Sequence, residues 1–202
     1  SYDGSSLGVP FNAMPYTVDS GAFALASGSK PVTNHFGEVA FVANLYYNPQ
    51  QNQIDSGLWF NDSAGTRLVI RENDPVPGSP GQQISTFEEL VTSPTKENSW
   101  LFFRSYLRGN VGLGDRTGWF RYDDRQGVVP IVVTNTLAPG TNKLFFSPRA
   151  NFGPSGDYVV YGSLQTPGGS VDTTALWLGD RDTTNLNLVA RTGDSIIRAG
   201  QN

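Results

Sequence analysis

Cysteine is absent from this 202-residue chain, and histidine and methionine occur once each. The first absence removes disulfides, thiolate metal sites and cysteine nucleophiles together, and the second leaves His35 as the only imidazole for acid–base work. Charge is sparse as well: 16% of the chain is charged, where an average domain carries about a quarter. The 14 Lys and Arg are scattered and outnumbered by 18 Asp and Glu, so a net charge of −4 gives no electrostatic reason to expect nucleic acid or an anionic membrane as a partner. No apolar run approaches the ~18 residues of a membrane span. No stretch of a dozen residues combines apolarity at period 3.6 with caps, so no helix beyond a turn or two is expected. The sequence begins at Ser1 without methionine or an apolar leader, as both a processed secreted protein and a trimmed fragment would.

What is plentiful points to sheet. With 23 Gly, 13 Pro, 12% aromatic and 38% hydrophobic residues, the chain is rich in turns and has enough apolar side chain to fill a core. Its organising stretch is Asp55 to Gly78, DSGLWFNDSAGTRLVIRENDPVPG, because the pattern returns twice. Trp59 recurs as Trp119 and Trp177, a period of about 60 residues that marks stacked supersecondary units unable to bury an apolar face alone. The run Leu68 to Arg71 recurs as Pro130 to Val133 and Leu188 to Arg191, and the closing Pro77-Gly78 as Pro139-Gly140 and Ala199-Gly200. Phe23, Phe87 and Phe145 open the modules, and a second strand follows around Phe41, Phe103 and Tyr161. Between these strands lie the Pro/Gly/Asn-rich turns KPVTNHFG, SPTKEN and NFGPSGD.

The fold expected is therefore all-β: three tandem four-stranded antiparallel propeller-blade-like modules over about 21–79, 80–141 and 142–202. Trp59, Trp119, Trp177, Phe41, Phe103 and Tyr161 are their expected repeat core. Trp100 falls outside the repeat position and is expected to be more exposed. Both faces of the middle module read as buried, since WLFFRSYL lacks clean alternation. Residues 1–20 form an N-terminal arm. Its Phe11, Met14, Tyr16 and Val18 suit a half-buried strand, which Pro10 and Pro15 would confine to an edge or to pairing along one side.

The motif of a Pro/Asn/Gly turn, an apolar strand, a polar loop, GLW, and LVxR before a GD..PG close resembles the tandem propeller-like β repeats of secreted bacterial surface proteins of the choice-of-anchor type. Asp55 to Trp59 with Leu68 to Gly78 carries it best, followed by Ala175 to Trp177 with Leu188 to Asp194. The resemblance implies an extracellular or cell-surface location and brings no catalytic residues and no cofactor.

Read for chemistry, the residues favour structure. His35 with some Ser and Asp is formally a triad, but it sits in the turn VTNHFG without a nucleophile elbow and reads as a polar turn residue. Asp55, Asp115 and Asp172 precede the tryptophans in a way that invites a glycosidase pair; their repetition suits Asx-turns at the third strands better. Asp180, Asp182, Asp123 and Asp124 offer oxygens for calcium without the spacing of a known loop. GDRTGW at Gly114 to Trp119 is an incomplete aspartate box and reads as chance. The aromatics offer a sugar-stacking platform, although their matched positions indicate core first. Asn61-Asp62-Ser63 is a glycosylation sequon in a polar turn.

No enzyme, metal or cofactor is expected. Propellers close with four to eight blades, so three modules leave ends and edges to be covered. The expected partners are copies of the chain itself, joined head to tail into an extracellular filament by strand donation from the arm. The alternative is a secreted carbohydrate-binding or adhesive module with glycan partners.

Overall fold

The computed structural model describes residues 30–47, 53–93, 100–109, 116–180 and 183–194. The arm of residues 1–20, Phe23 and the Ala199-Gly200 close lie outside them. Twelve strands form three four-stranded antiparallel sheets, and no helix occurs among the described residues. Sheet one holds β1 (Val32–Thr33), β2 (Val39–Tyr47), β3 (Gln53–Asp62) and β4 (Gly65–Arg71). Sheet two holds β5 (Gln82–Thr92), β6 (Trp100–Gly109), β7 (Thr117–Asp123) and β8 (Gly127–Val133). Sheet three holds β9 (Leu144–Phe152), β10 (Tyr158–Gln165), β11 (Val171–Gly179) and β12 (Leu186–Arg191). Within each, neighbours in sequence are neighbours in space, which is the meander of a propeller blade.

The repeat has a cause in the backbone. Beside every repeat tryptophan the ladder to the fourth strand slips by one residue. Leu58 faces Ile70 while Trp59 faces Leu68; Trp119 faces Val132 while Phe120 faces Pro130; Leu176 faces Ala190 while Trp177 faces Leu188. Such a bulge adds local twist and re-aims the side chains around it. After the fourth strand the first two modules turn at Asn73 and Asn135, both in the left-handed region at φ 73° and 67°, which Asn tolerates better than most residues. The N–H groups of these asparagines then donate to Ile84 and Phe145 of the next module, so each module is hydrogen-bonded to its successor.

The three sheets stack face on face, and sheet two is the filling. Leu58 and Phe60 of sheet one join Leu101, Phe103 and Phe120 of sheet two in one buried cluster. Trp100, Phe102 and Trp119, on the other face of sheet two, join Tyr158, Val160 and Trp177 of sheet three. Rings bridge both seams, Phe60 to Tyr122 at 6.2 Å and Phe102 to Phe152 at 4.0 Å. The faces used alternate: sheets one and two meet through the faces without tryptophan, sheets two and three through the faces that carry it. A ring of blades needs each blade to offer the same face to its successor, so this stack, although built of blade-like sheets, packs as a layered sandwich. Among the described residues it does not close.

Candidate functional site

Trp59, Trp119 and Trp177 are all buried. Trp177 donates its indole N–H to the Pro139 carbonyl at 3.0 Å, in the turn that leads into its own module. Phe41 lies directly across from Trp59 and packs partly buried against it with Ala43 and Leu68. Phe103 is buried, but on the face opposite Trp119, since Trp119 pairs with Arg104. Tyr161 corrects the expectation of a core residue: it is one position past Val160, the partner of Trp177, and points outward with 42% of its surface exposed. Trp100 is also corrected. It is 3% exposed and lies 4.5 Å from Phe102 in the seam between sheets two and three, because its strand is covered on both faces.

The polar candidates do not converge. His35 is exposed in the turn after β1, with Phe36 as its ring neighbour at 3.8 Å. The turn is held instead by Asn34, whose Oδ1 accepts from the N–H groups of Phe36 and Glu38. Asp115 lies outside the described residues, as does Asp182. Asp55 and Asp172 fall inside β3 and β11 rather than in turns, and their side chains are not among those described. Asp123 accepts from the backbone of Arg125 and Gln126, and Asp180 from that of Thr183; these are Asx-type turns. No group of three or more acidic or His side chains is placed to hold a metal among the described residues. Asn61 lies inside β3, one residue before its end, rather than in the turn, and accepts a hydrogen bond from Thr66 at 2.7 Å.

One charged cluster spans the seam between sheets one and two. Arg67 on β4 grips Asp62 with two hydrogen bonds of 2.8 and 2.7 Å, donates to the Tyr122 hydroxyl at 2.8 Å and reaches Asp124 at 2.5 Å. Its guanidinium also covers the rings of Phe60 and Tyr122 at 5.3 and 5.6 Å, the geometry of a cation–π contact. The bond to Arg67 holds the Asp62 carboxyl below its ordinary range, against the opposing pull of burial, and Asp62 in turn raises Arg67. Burial raises Tyr122 and pushes Tyr158 up to about 12.

Sequence reasoning missed the outer face of sheet three. Val159, Tyr161, Leu176 and Leu178 form two cross-strand pairs at its centre, Tyr161 opposite Leu176 and Val159 opposite Leu178. Tyr161, Leu176 and Leu178 are 42%, 37% and 50% exposed, and Val189, the extra residue of the β12 bulge, 58%. Beside them runs an open groove of about 540 Å³ lined by Arg149, Tyr161, Ser163, Thr174, Leu176 and Arg191, among others. The signal in the sequence is ALWL in β11, which is apolar on both faces.

No curated protein and no solved structure matches the chain. The family described as "Family of unknown function (DUF7453)" matches residues 14–200, which hold all twelve strands and part of the arm, and the chain belongs to that family.

Proposed function

We propose that the protein is a non-enzymatic structural subunit of an extracellular filament or surface assembly, joined head to tail by β-strand donation from its N-terminal arm. The observation that carries this reading is the edge at β12: Leu186–Arg191 pairs with β11 on one side only among the described residues, and its outer residues are largely exposed. An unpaired edge of this kind is a template for an added strand, in which the main chain supplies affinity and alternate side chains set the register. Met14, Tyr16 and Val18 have the required period of two, with Phe11 ahead of them. The resemblance to repeats of secreted bacterial surface proteins agrees with an extracellular location. Deleting residues 1–20 should leave the modules folded and abolish long assemblies, and an excess of a Pro10–Ser20 peptide should block their growth. Full-length assemblies from the deleted protein would remove the mechanism.

The carbohydrate-binding or adhesive reading is favoured by one feature, the half-exposed ring of Tyr161 beside the hydroxyls of Ser163 and Thr174 in the groove. An aromatic face next to polar groups is how a sugar ring is stacked and oriented. Saturable glycan binding that Tyr161→Ala abolishes would favour it over the filament.

A further inference from the structure

We propose that the outer face of the third sheet binds the same face of a second copy of this chain across a two-fold axis. Register makes certain positions equivalent in the three sheets. In each sheet the repeat tryptophan has one cross-strand partner: Phe41 for Trp59, Arg104 for Trp119 and Val160 for Trp177. One residue to either side of those pairs lies a quartet on the opposite face. In sheet one it is Ala40, Val42, Leu58 and Phe60; in sheet two Phe103, Ser105, Gly118 and Phe120; in sheet three Val159, Tyr161, Leu176 and Leu178. The first two quartets are buried, and their apolar side chains pack into one cluster. The third is the only one of the three left in water.

What covers it follows from the rule the chain obeys twice. Faces without tryptophan meet each other between sheets one and two, and faces with tryptophan meet each other between sheets two and three. Extending the stack by the same rule places another tryptophan-free face on sheet three. The quartets of sheets one and two are already consumed inside each chain, whereas sheet three of a second copy offers such a face, apolar and uncovered among the described residues. Such a contact is isologous: each copy offers the same patch, and the pair closes on itself. It is independent of the arm. Four strands about 4.8 Å apart and roughly six residues of about 3.3 Å each give a flat footprint of roughly 400 Å², half the ~800 Å² per partner of a standard interface. The dimer is therefore expected in the micromolar range. The quartet carries no charge, and Arg149, across from Tyr161 on the same face, adds only like-charge repulsion between the copies, so association should hold or strengthen at about 1 M salt, where exposed charges are screened.

Sedimentation equilibrium of the full-length chain from about 1 to 100 µM, spanning the expected micromolar constant, tests this with the Pro10–Ser20 peptide in excess, so that the arm contact and the face contact fail separately. A monomer–dimer equilibrium is expected, weakened at least ten-fold by Leu178→Glu with circular dichroism unchanged. Tyr161→Ser provides the same reading if the glutamate variant misfolds. Because the chain has no cysteine, Leu178→Cys supplies a single thiol, and a short bis-maleimide should join two copies through it while Ser63→Cys on the β3–β4 turn stays unjoined. A chain that remains monomeric throughout, or a dimer unaffected by both face variants, overturns the proposal. Loss of association with Leu178→Glu but no self-joining of Leu178→Cys overturns it too, since the face would then be covered by something unlike itself.

Discussion

An alanine at position 179 has no room for its methyl group. A Cβ on Gly179 would stand 2.3 Å from Cε2 and 2.7 Å from the hydroxyl oxygen of Tyr158, where carbon contacts settle at about 3.5–4.0 Å. Tyr158 lies directly across the ladder from Gly179, is 1% exposed, and sits 5.7 Å from Phe102 and 6.1 Å from Phe152 in the seam between sheets two and three. To yield, the ring must push into that seam and lengthen the 3.3 Å bond from its hydroxyl to the Thr183 carbonyl. Overpacking of this kind costs about 1–3 kcal/mol, and a weakened buried hydrogen bond about 1 kcal/mol more. A total of roughly 2–4 kcal/mol lowers Tm by roughly 5–15 °C in a chain of this size. Scanning calorimetry of Gly179→Ala measures it, with Gly168→Ala as control, since the nearest atom to a Cβ there is Thr166 Oγ1 at 3.8 Å. Tyr158→Leu in the same chain should relieve part of the cost, with a coupling of about 1–2 kcal/mol in the double-mutant cycle. A Gly179→Ala melt within about 1 °C of the parent, or a cost undiminished by Tyr158→Leu, would refute the packing described for this seam.

Arg67→Ala should cost about 2–4 kcal/mol, because it strips a bidentate partner from the nearly buried Asp62 and a cation from two rings; Arg67→Lys should recover little, since an ammonium cannot match the fork. The Asp62 carboxyl is depressed when folded, so the stability it contributes is present above its unfolded value near 3.9 and fades as pH falls through the lower folded value; Asp62→Asn should flatten urea-unfolding profiles in that acid window. Tyr158 has the opposite window. Its folded value is raised to about 12, so its contribution is intact below pH ~10 and is lost between about 10 and 12. Tyr158→Phe should therefore be less sensitive to alkali across those two units.

Much of the architecture was legible because the repeat is written in side chains that must be buried. Trp59, Trp119 and Trp177 mark the third strand of each sheet, and the Val/Ile/Leu runs mark the fourth. What stayed hidden was which face each residue takes. Aligning Phe41 with Phe103 and Tyr161 groups residues from opposite faces, and a shift of one residue inverts a strand. Nothing in WLFFRSYLRG betrays the shift, because β6 is apolar on both sides and alternation has no polar half to register against. The bulges beside the tryptophans are equally silent, since Val69, Ile131 and Val189 look like ordinary strand residues. Burial of Trp100 is hidden for the same reason: its place outside the repeat says nothing about a strand buried on two faces. Exposure of Tyr161, Leu176 and Leu178 depends on what lies beyond the third sheet, which no local pattern encodes. The turn VTNHFG is readable from its residues, and Asn34 closes it through its own side-chain oxygen, whereas the repetition of Asp55 and Asp172 suggests turns where the chain runs as strand.

Electron microscopy of negatively stained full-length protein, at concentrations where it assembles, tests the central claim most directly. Head-to-tail joining through the arm should give filaments of regular width that shorten to single subunits or pairs when the Pro10–Ser20 peptide is added in excess. Isolated particles at every concentration, or filaments indifferent to the peptide, would contradict it.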